Sequence, residues 1–137
     1  MLQVRIFNRN DWFDRRSRDY ETAYRAWLDT WRPEYQALDA NAAMYSDGFT
    51  RQDQVLTIWW QGHCVALTFF NVVNLSMQTG QMDSYFAPWP KEIVERLASL
   101  SDETLVCSAL TVSRPFQGQS LQGFPIKELL ASASLQH

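Results

Sequence analysis

The sequence contains few of the residues that build metal centres or disulfide frameworks. Its 137 residues include two cysteines, Cys64 and Cys107, and two histidines, His63 and His137. This set is too small for an ordinary Cys/His zinc site, and two cysteines do not imply a disulfide framework. We therefore predict that the protein binds no metal.

Positive charge is scarce as well. Of the 12 basic residues only Lys91 and Lys127 are lysines, and the formal net charge is −3. Binding to nucleic acid regardless of its sequence depends on excess positive charge, so this composition disfavours it. No apolar run approaches the length of a membrane span, and the N-terminus does not resemble a signal peptide. We therefore expect a cytoplasmic protein with no nucleic-acid partner.

Aromatic residues, in contrast, are plentiful. They make up 14% of the chain, and the hydrophobic fraction of 46% argues against disorder and for one folded domain over residues 1–137. Tyr20, Trp27 and Trp31 fall at helical spacing in a helix expected from about Tyr20. We interpret this stripe as part of the core, and an acyl-chain pocket is the alternative. Pro33 is expected to break or restart the helix.

Alternating apolar residues predict the strands. The pattern at residues 2–6 is that of a half-buried strand, and the runs Gln54–Gln61 and His63–Leu75 predict a hairpin that turns at Gln61-Gly62. Trp59 and Trp60 are adjacent and so point to opposite faces of the sheet. We therefore expect helices on both faces.

The segments around this hairpin have weaker signals. Residues 38–53 are rich in Asp, Asn, Ser and Gly and predict a loop, with Tyr45 and Phe49 directed inward. Residues 78–87 are compatible with a short strand or a loop. Pro88 and Pro90 precede an apolar stripe that predicts a helix over residues 91–100.

The most informative segment lies near the C-terminus. An apolar strand at 104–112 leads through a glycine-bearing loop into a helix predicted at 124–135. Such a junction presents backbone N–H groups and the positive end of a helix dipole, which bind phosphate. The predicted cofactor-binding residues are Leu110, Thr111, Val112, Arg114, Gln117, Gly118, Gln119, Ser120, Leu121, Gln122 and Gly123.

This junction resembles the acyl-CoA pyrophosphate loop of the GNAT (GCN5-related N-acetyltransferase) superfamily. In that family the loop reads Gln/Arg-x-x-Gly-x-Gly/Ala. Gln117 fits the first position, while Ser120 and Gln122 stand where the family has small residues. The element order is also similar, and the extra helix at 91–100 resembles the branch of autoinducer and N-acyl amino acid synthases, which transfer long acyl chains.

The resemblance implies a particular fold. It implies an α/β (α+β) domain with a mixed, mainly antiparallel sheet and helices on both faces. The family's last strands would lie beyond His137, so we expect an incomplete domain whose strand at 104–112 has an open edge. An apolar open edge favours self-association, and we expect a homo-oligomer.

The resemblance also implies an activity, the transfer of an acyl group from a thioester to an amine. The co-substrate would be acyl-CoA or acyl-phosphopantetheine. An acyl carrier protein could dock at the basic run Arg15, Arg16 and Arg18. Backbone N–H groups of residues 110–112 would polarise the thioester carbonyl.

The catalytic side chains stay unknown from the sequence. Asp102 and Glu103 are interpreted as residues of a solvated turn, and His63 as a surface residue. Cys64 and Cys107 are expected on neighbouring strands as small buried hydrophobes. Two alternative functions stay open. One is a non-catalytic GNAT-like module that binds acyl-CoA or regulates, and the other is an α+β interaction domain of cystatin-like or NTF2-like shape.

Overall fold

A computed structural model describes all residues from 1 to 137, and helices account for 42% of them and strands for 28%. The strands are β1 (Leu2–Asn8), β2 (Gln54–Trp60), β3 (His63–Val73), β4 (Thr104–Val112), β5 (Ser120–Leu121) and β6 (Phe124–Pro125). The helices are α1 (Trp12–Arg16), α2 (Arg18–Leu38), α3 (Asp47–Thr50), α4 (Gln78–Gln81), α5 (Lys91–Leu100) and α6 (Ile126–Gln136). The predicted α+β class is confirmed.

Four strands form one antiparallel sheet in the order β1-β2-β3-β4. The hairpin between β2 and β3 turns at Gln61 and Gly62, whose φ angles are 50° and 79°. Two residues in the left-handed region make the tight turn that matches the twist of paired strands, so the predicted hairpin is confirmed. β4 has a neighbour on one side only, which leaves the predicted open edge.

The chain divides into two compact units, residues 1–70 with 107–137, and residues 71–106. In the first unit, helices α2 and α3 cover one face of the sheet. The shared core consists of Phe7, Tyr20, Ala23, Trp27, Leu28, Phe49, Val55, Trp59, Cys64, Leu67 and Phe69. Helix α2 contributes residues at three- and four-residue steps, which is why a single stripe of it is buried.

Helix α6 belongs to a second core of the same unit. This core consists of Leu56, Ile58, Val65, Ala66, Phe70, Leu121, Ile126 and Leu130. Trp60 packs against it, whereas the adjacent Trp59 belongs to the first core. Both faces of the sheet are therefore covered, as the Trp59-Trp60 pair predicts.

The second unit has its own small core of Leu75, Phe86, Val94 and Val106. Helix α5 contributes Val94 and has the predicted bounds. Gly80 is required in α4, because a Cβ there would overlap the backbone carbonyl of Asn74.

Several local predictions are wrong. Helix α2 runs without a break through Pro33, and beyond it the Tyr35 ring lies 6.3 Å from the Trp31 ring while Glu34 pairs with Arg114. Residues 47–50 form a short helix where a loop is predicted. Residues 78–81 form another where a short strand or a loop is predicted. Phe49 is buried as predicted, but Tyr45 is 72% exposed. No helix combines the length and apolar character needed to cross a membrane.

Candidate functional site

The segment after β4 forms a small hairpin. A 3-10 turn at residues 114–116 is followed by β5 and β6, which pair through a turn at Gln122 and Gly123. Their φ angles of 52° and 84° repeat the geometry of the Gln61-Gly62 turn. The prediction of one open loop leading into a helix that starts at Phe124 is therefore wrong, because Phe124 belongs to β6 and the helix starts at Ile126.

Several backbone donors of this segment are already used within the chain. The N–H groups of Gln117, Gln119 and Ile126 donate to the carbonyls of Arg114, Phe116 and Gln119 over 3.3, 3.1 and 3.1 Å. The N–H of Gly118 donates to no acceptor in the chain. Pro125 precedes α6 without a side-chain cap, so the next N–H groups of the helix also stay available.

A cavity of about 530 Å³, here called the loop cavity, lies beside this hairpin. Its lining consists of Val112, Gln117, Gly118, Gln119, Ser120, Pro125, Ile126 and Lys127. Five of these residues are among the predicted cofactor-binding residues. The sequence analysis does not single out Lys127. The chain has only one other lysine, and a lysine in the first turn of the predicted helix could have indicated a phosphate-binding side chain.

The remaining predicted residues do not line the loop cavity. The Arg114 guanidinium pairs with the Glu34 carboxylate of α2 at 3.7 Å. Leu121 is buried in the core beside α6. Gln122 and Gly123 form the hairpin turn, where positive φ explains the glycine. Only part of the predicted set therefore lines the loop cavity.

Two further predicted residues, Leu110 and Thr111, belong to β4. Leu110 is 56% exposed. Thr111 is buried, and its hydroxyl accepts a hydrogen bond from the Trp31 indole N–H at 2.8 Å and donates to the Ala109 carbonyl at 2.6 Å. Ala109 has a φ of 52°, which is unusual for a residue with a side chain. The strand is therefore irregular at Ala109, and two residues later the Thr111 side chain is hydrogen-bonded to Trp31 of α2.

The open edge of β4 exposes main-chain groups near the loop cavity. The Ser113 N–H donates to the Val65 carbonyl of β3 at 2.9 Å. Successive residues of a strand direct their backbone groups to opposite sides, so Val112 and Leu110 direct theirs to the open edge. The Val112 carbonyl there accepts a hydrogen bond from the Gln117 amide at 3.1 Å.

A second cavity, here called the aromatic cavity, has a volume of about 560 Å³. Its lining consists of Trp27, Trp31, Tyr35, Ala42, Ala43, Met44, Tyr45, Asp47, Gly48, Arg51, Phe69, Ser108 and Ala109. Tyr20 lies in the core as predicted, whereas Trp27 and Trp31 combine core packing with cavity lining. The aromatic stripe is thus partly core and partly cavity lining.

The cysteines and the candidate acid–base residues His63 and Asp102 line neither cavity. Burial raises the pKa of the Cys64 thiol to about 12, so this thiol stays protonated at neutral pH. Cys107 is exposed, 3.3 Å from the Thr68 hydroxyl, so the prediction that it is buried is wrong. His63 and Asp102 are exposed, as expected for surface residues.

The predicted carrier-protein patch is accessible to solvent. Arg15, Arg16 and Arg18 are all exposed near the start of α2. The Arg16 guanidinium lies 5.6 Å from the centre of the Trp12 ring.

No protein-family model, curated protein or solved structure matches this chain.

Proposed function

We propose that this chain binds an acyl thioester of CoA or phosphopantetheine in the loop cavity and transfers the acyl group to an amine, as GNAT enzymes do. The observation that carries the proposal is the loop cavity itself. It lies where the edge strand meets α6, and it is lined by Val112, residues 117–120 and Lys127. Its volume is within the range of ligand pockets, about 300–1,000 Å³.

The donors around the loop cavity suit an anionic phosphate. The Lys127 ammonium takes part in none of the ion pairs of the chain. It lies in the first turn of α6, where the helix dipole also favours negative charge. The free Gly118 N–H and the exposed Ser120 hydroxyl add hydrogen-bond donors.

The apolar part of the lining suits the rest of such a donor. Val112 and Pro125 provide aliphatic surface next to the polar loop, and Val112 belongs to the open edge of β4. An extended pantetheine arm could add its amide groups to this edge as a further strand would. The main-chain N–H groups of Leu110 and Val112 would then lie near the thioester carbonyl.

The chemistry demands little of side chains. The amine nitrogen attacks the thioester carbonyl carbon, the C–N bond forms, and the C–S bond breaks. The amine proton leaves to solvent, and the sulfur departs as a thiolate that takes up a proton. A strand N–H that donates to the carbonyl oxygen stabilises the charge that develops there. Catalysis would thus come from orientation and main-chain donors.

Calorimetric titration of the 137-residue chain with CoA and a long-chain acyl-CoA tests the binding step. We expect Lys127→Glu to weaken binding by about tenfold or more, because a hydrogen bond to a charged group contributes roughly 1.5–3 kcal/mol. The control is Lys91→Glu, which changes the only other lysine and should leave affinity unchanged. Equal affinity in both variants would remove the loop cavity from the proposal.

Two glycines provide a steric test. Gly118 and Gly123 both have positive φ, 73° and 84°, and a Cβ at either meets no atom within 4 Å. Tryptophan at each position therefore strains the backbone to a similar extent. Gly118→Trp would fill the loop cavity and abolish binding. Gly123→Trp should preserve binding because Gly123 does not line the cavity.

Release of free thiol in the presence of an amine pool tests the transfer step. Amine-dependent release that Gly118→Trp abolishes is the expected result. Binding without release for any amine would favour the non-catalytic module. Failure to bind CoA, acyl-CoA and an acyl carrier protein alike would favour the interaction domain.

A further inference from the structure

The aromatic cavity is a second site with its own chemistry, separate from the loop cavity. Its buried lining residues, Trp27 and Phe69, belong to the core between α2 and the sheet. Trp31 and Met44 are partly buried, and Tyr45 is exposed at the rim. A cavity with rings on several sides suits a planar apolar group, because rings pack on rings in offset or edge-to-face geometry.

Two opposite charges lie at the rim of this cavity. Asp47 begins α3, and Arg51 follows its last residue one turn later. Residues four apart on a helical turn are neighbours, yet these two side chains form no ion pair with each other. No hydrogen bond within the chain engages either charged group. Both are therefore available to a ligand.

These observations restrict the class of ligand. A plain acyl chain would use the rings but leave both charges unused at the mouth. A cation or an anion alone would satisfy one charge and be repelled by the other. A molecule with an aromatic body and a small headgroup carrying both charges complements the whole lining.

We propose that the aromatic cavity binds an aromatic α-amino acid as its zwitterion. The ligand's ammonium group pairs with the Asp47 carboxylate, and its carboxylate pairs with the Arg51 guanidinium, which offers a planar fork of N–H donors. The ligand's ring lies among Trp27, Trp31 and Phe69. The inference depends on this cavity alone and needs no acyl donor.

Gly48 lines the aromatic cavity beside Trp27. A Cβ at Gly48 would lie 3.1 Å from an edge carbon of the Trp27 indole. A side chain there would require this indole to shift by a few tenths of an ångström, because the contact is closer than ordinary van der Waals packing. Glycine at position 48 thus lets α3 approach Trp27 closely.

The test compares three ligands that share one ring and differ in charge. L-phenylalanine carries both charges, phenethylamine carries only the ammonium group, and 3-phenylpropionate carries only the carboxylate. Calorimetric titration of the wild-type chain should show phenylalanine binding about two- to fivefold more tightly than either analogue, the range expected for charge pairs open to solvent.

The variants assign each charge to its residue. Asp47→Asn should remove the preference for phenylalanine over 3-phenylpropionate while the preference over phenethylamine persists. Arg51→Gln should do the reverse. Asp29→Asn and Arg32→Gln are matched controls, since both residues are exposed on α2 and do not line the cavity. A purely structural role of Asp47 or Arg51 would change all three affinities together.

Several results would overturn the proposal. They are the absence of phenylalanine binding at millimolar concentration, equal binding of all three ligands, and preferences that neither variant alters. Binding of a fatty acid in place of phenylalanine would also overturn it and would identify an acyl-chain pocket. None of these results depends on CoA, so the outcome for the loop cavity is independent.

Discussion

Truncation of Phe49 is expected to destabilise the first unit strongly. Its side chain is fully buried, and its ring centre lies 5.1, 5.6, 5.8 and 5.6 Å from those of Tyr20, Tyr24, Trp27 and Phe69. Truncation of a buried phenylalanine costs about 3–5 kcal/mol, and four rigid ring neighbours collapse poorly into the space left behind. We therefore expect Phe49→Ala to lower the free energy of unfolding by about 4 kcal/mol.

The thermal effect should be correspondingly large. For a chain of this length, 1 kcal/mol corresponds to a shift of roughly 4 °C in Tm, so Phe49→Ala should lower Tm by about 15 °C. Circular dichroism with urea and with heat measures both quantities. Tyr45→Ala is the matched control in the same segment. It removes a ring that is 72% exposed and should cost less than about 0.5 kcal/mol.

A third variant distinguishes volume from shape at this position. Phe49→Leu keeps most of the buried volume and should cost about 1–2 kcal/mol. A cost below about 1 kcal/mol for Phe49→Ala, or equal costs for Phe49→Ala and Tyr45→Ala, would refute the packing described for α3.

Three further outcomes are expected. Pro33→Ala should raise the free energy of unfolding by about 1–3 kcal/mol, seen as a higher urea midpoint, because proline at this exposed position lacks the N–H that a helix interior donates. An unchanged midpoint would contradict this. Burial raises the pKa of Cys64 from 9.0 to about 12, so stability should fall as pH rises between these values, since the unfolded thiol loses a proton that the folded one keeps. Cys64→Ala should flatten that fall, and an identical pH profile would exclude Cys64 as its source. Leu110→Lys should reduce self-association at high micromolar concentration, as measured by light scattering, because it places a charge on the open edge of β4, and equal scattering by both chains would mean that this edge is not the contact.

Strong local signals explain what the sequence predicts well. The bounds of β4 and α5 match their apolar patterns, and the β2–β3 hairpin has a turn dipeptide between two strand-like runs. The same dipeptide recurs at Gln122-Gly123 between Leu121 and Phe124. It forms the same kind of turn there, so the small hairpin could have been predicted by the rule that identifies the first.

The remaining errors come from tertiary context. Local propensity ends α2 at Pro33, but the helix persists, and beyond the proline Tyr35 packs on Trp31 and Glu34 pairs with Arg114. Tyr45 and Phe49 have the same aromatic character and differ only in which side chain meets the core. The aromatic cavity unites α2, α3, β3 and β4, and no pattern within one segment reports that these meet.

Strand β4 contributes residues to both candidate sites and a hydrogen bond that holds it to α2. Ala109 lines the aromatic cavity and Val112 lines the loop cavity, while Thr111 between them is held to Trp31 by a hydrogen bond. A change at Thr111 or Trp31 would therefore disturb fold and binding together, and loss of affinity would not identify the cause. The charged residues at the two cavities are exposed and make no internal ion pairs, so their substitution changes ligand chemistry while the core stays intact. That separation makes the two sites testable one at a time.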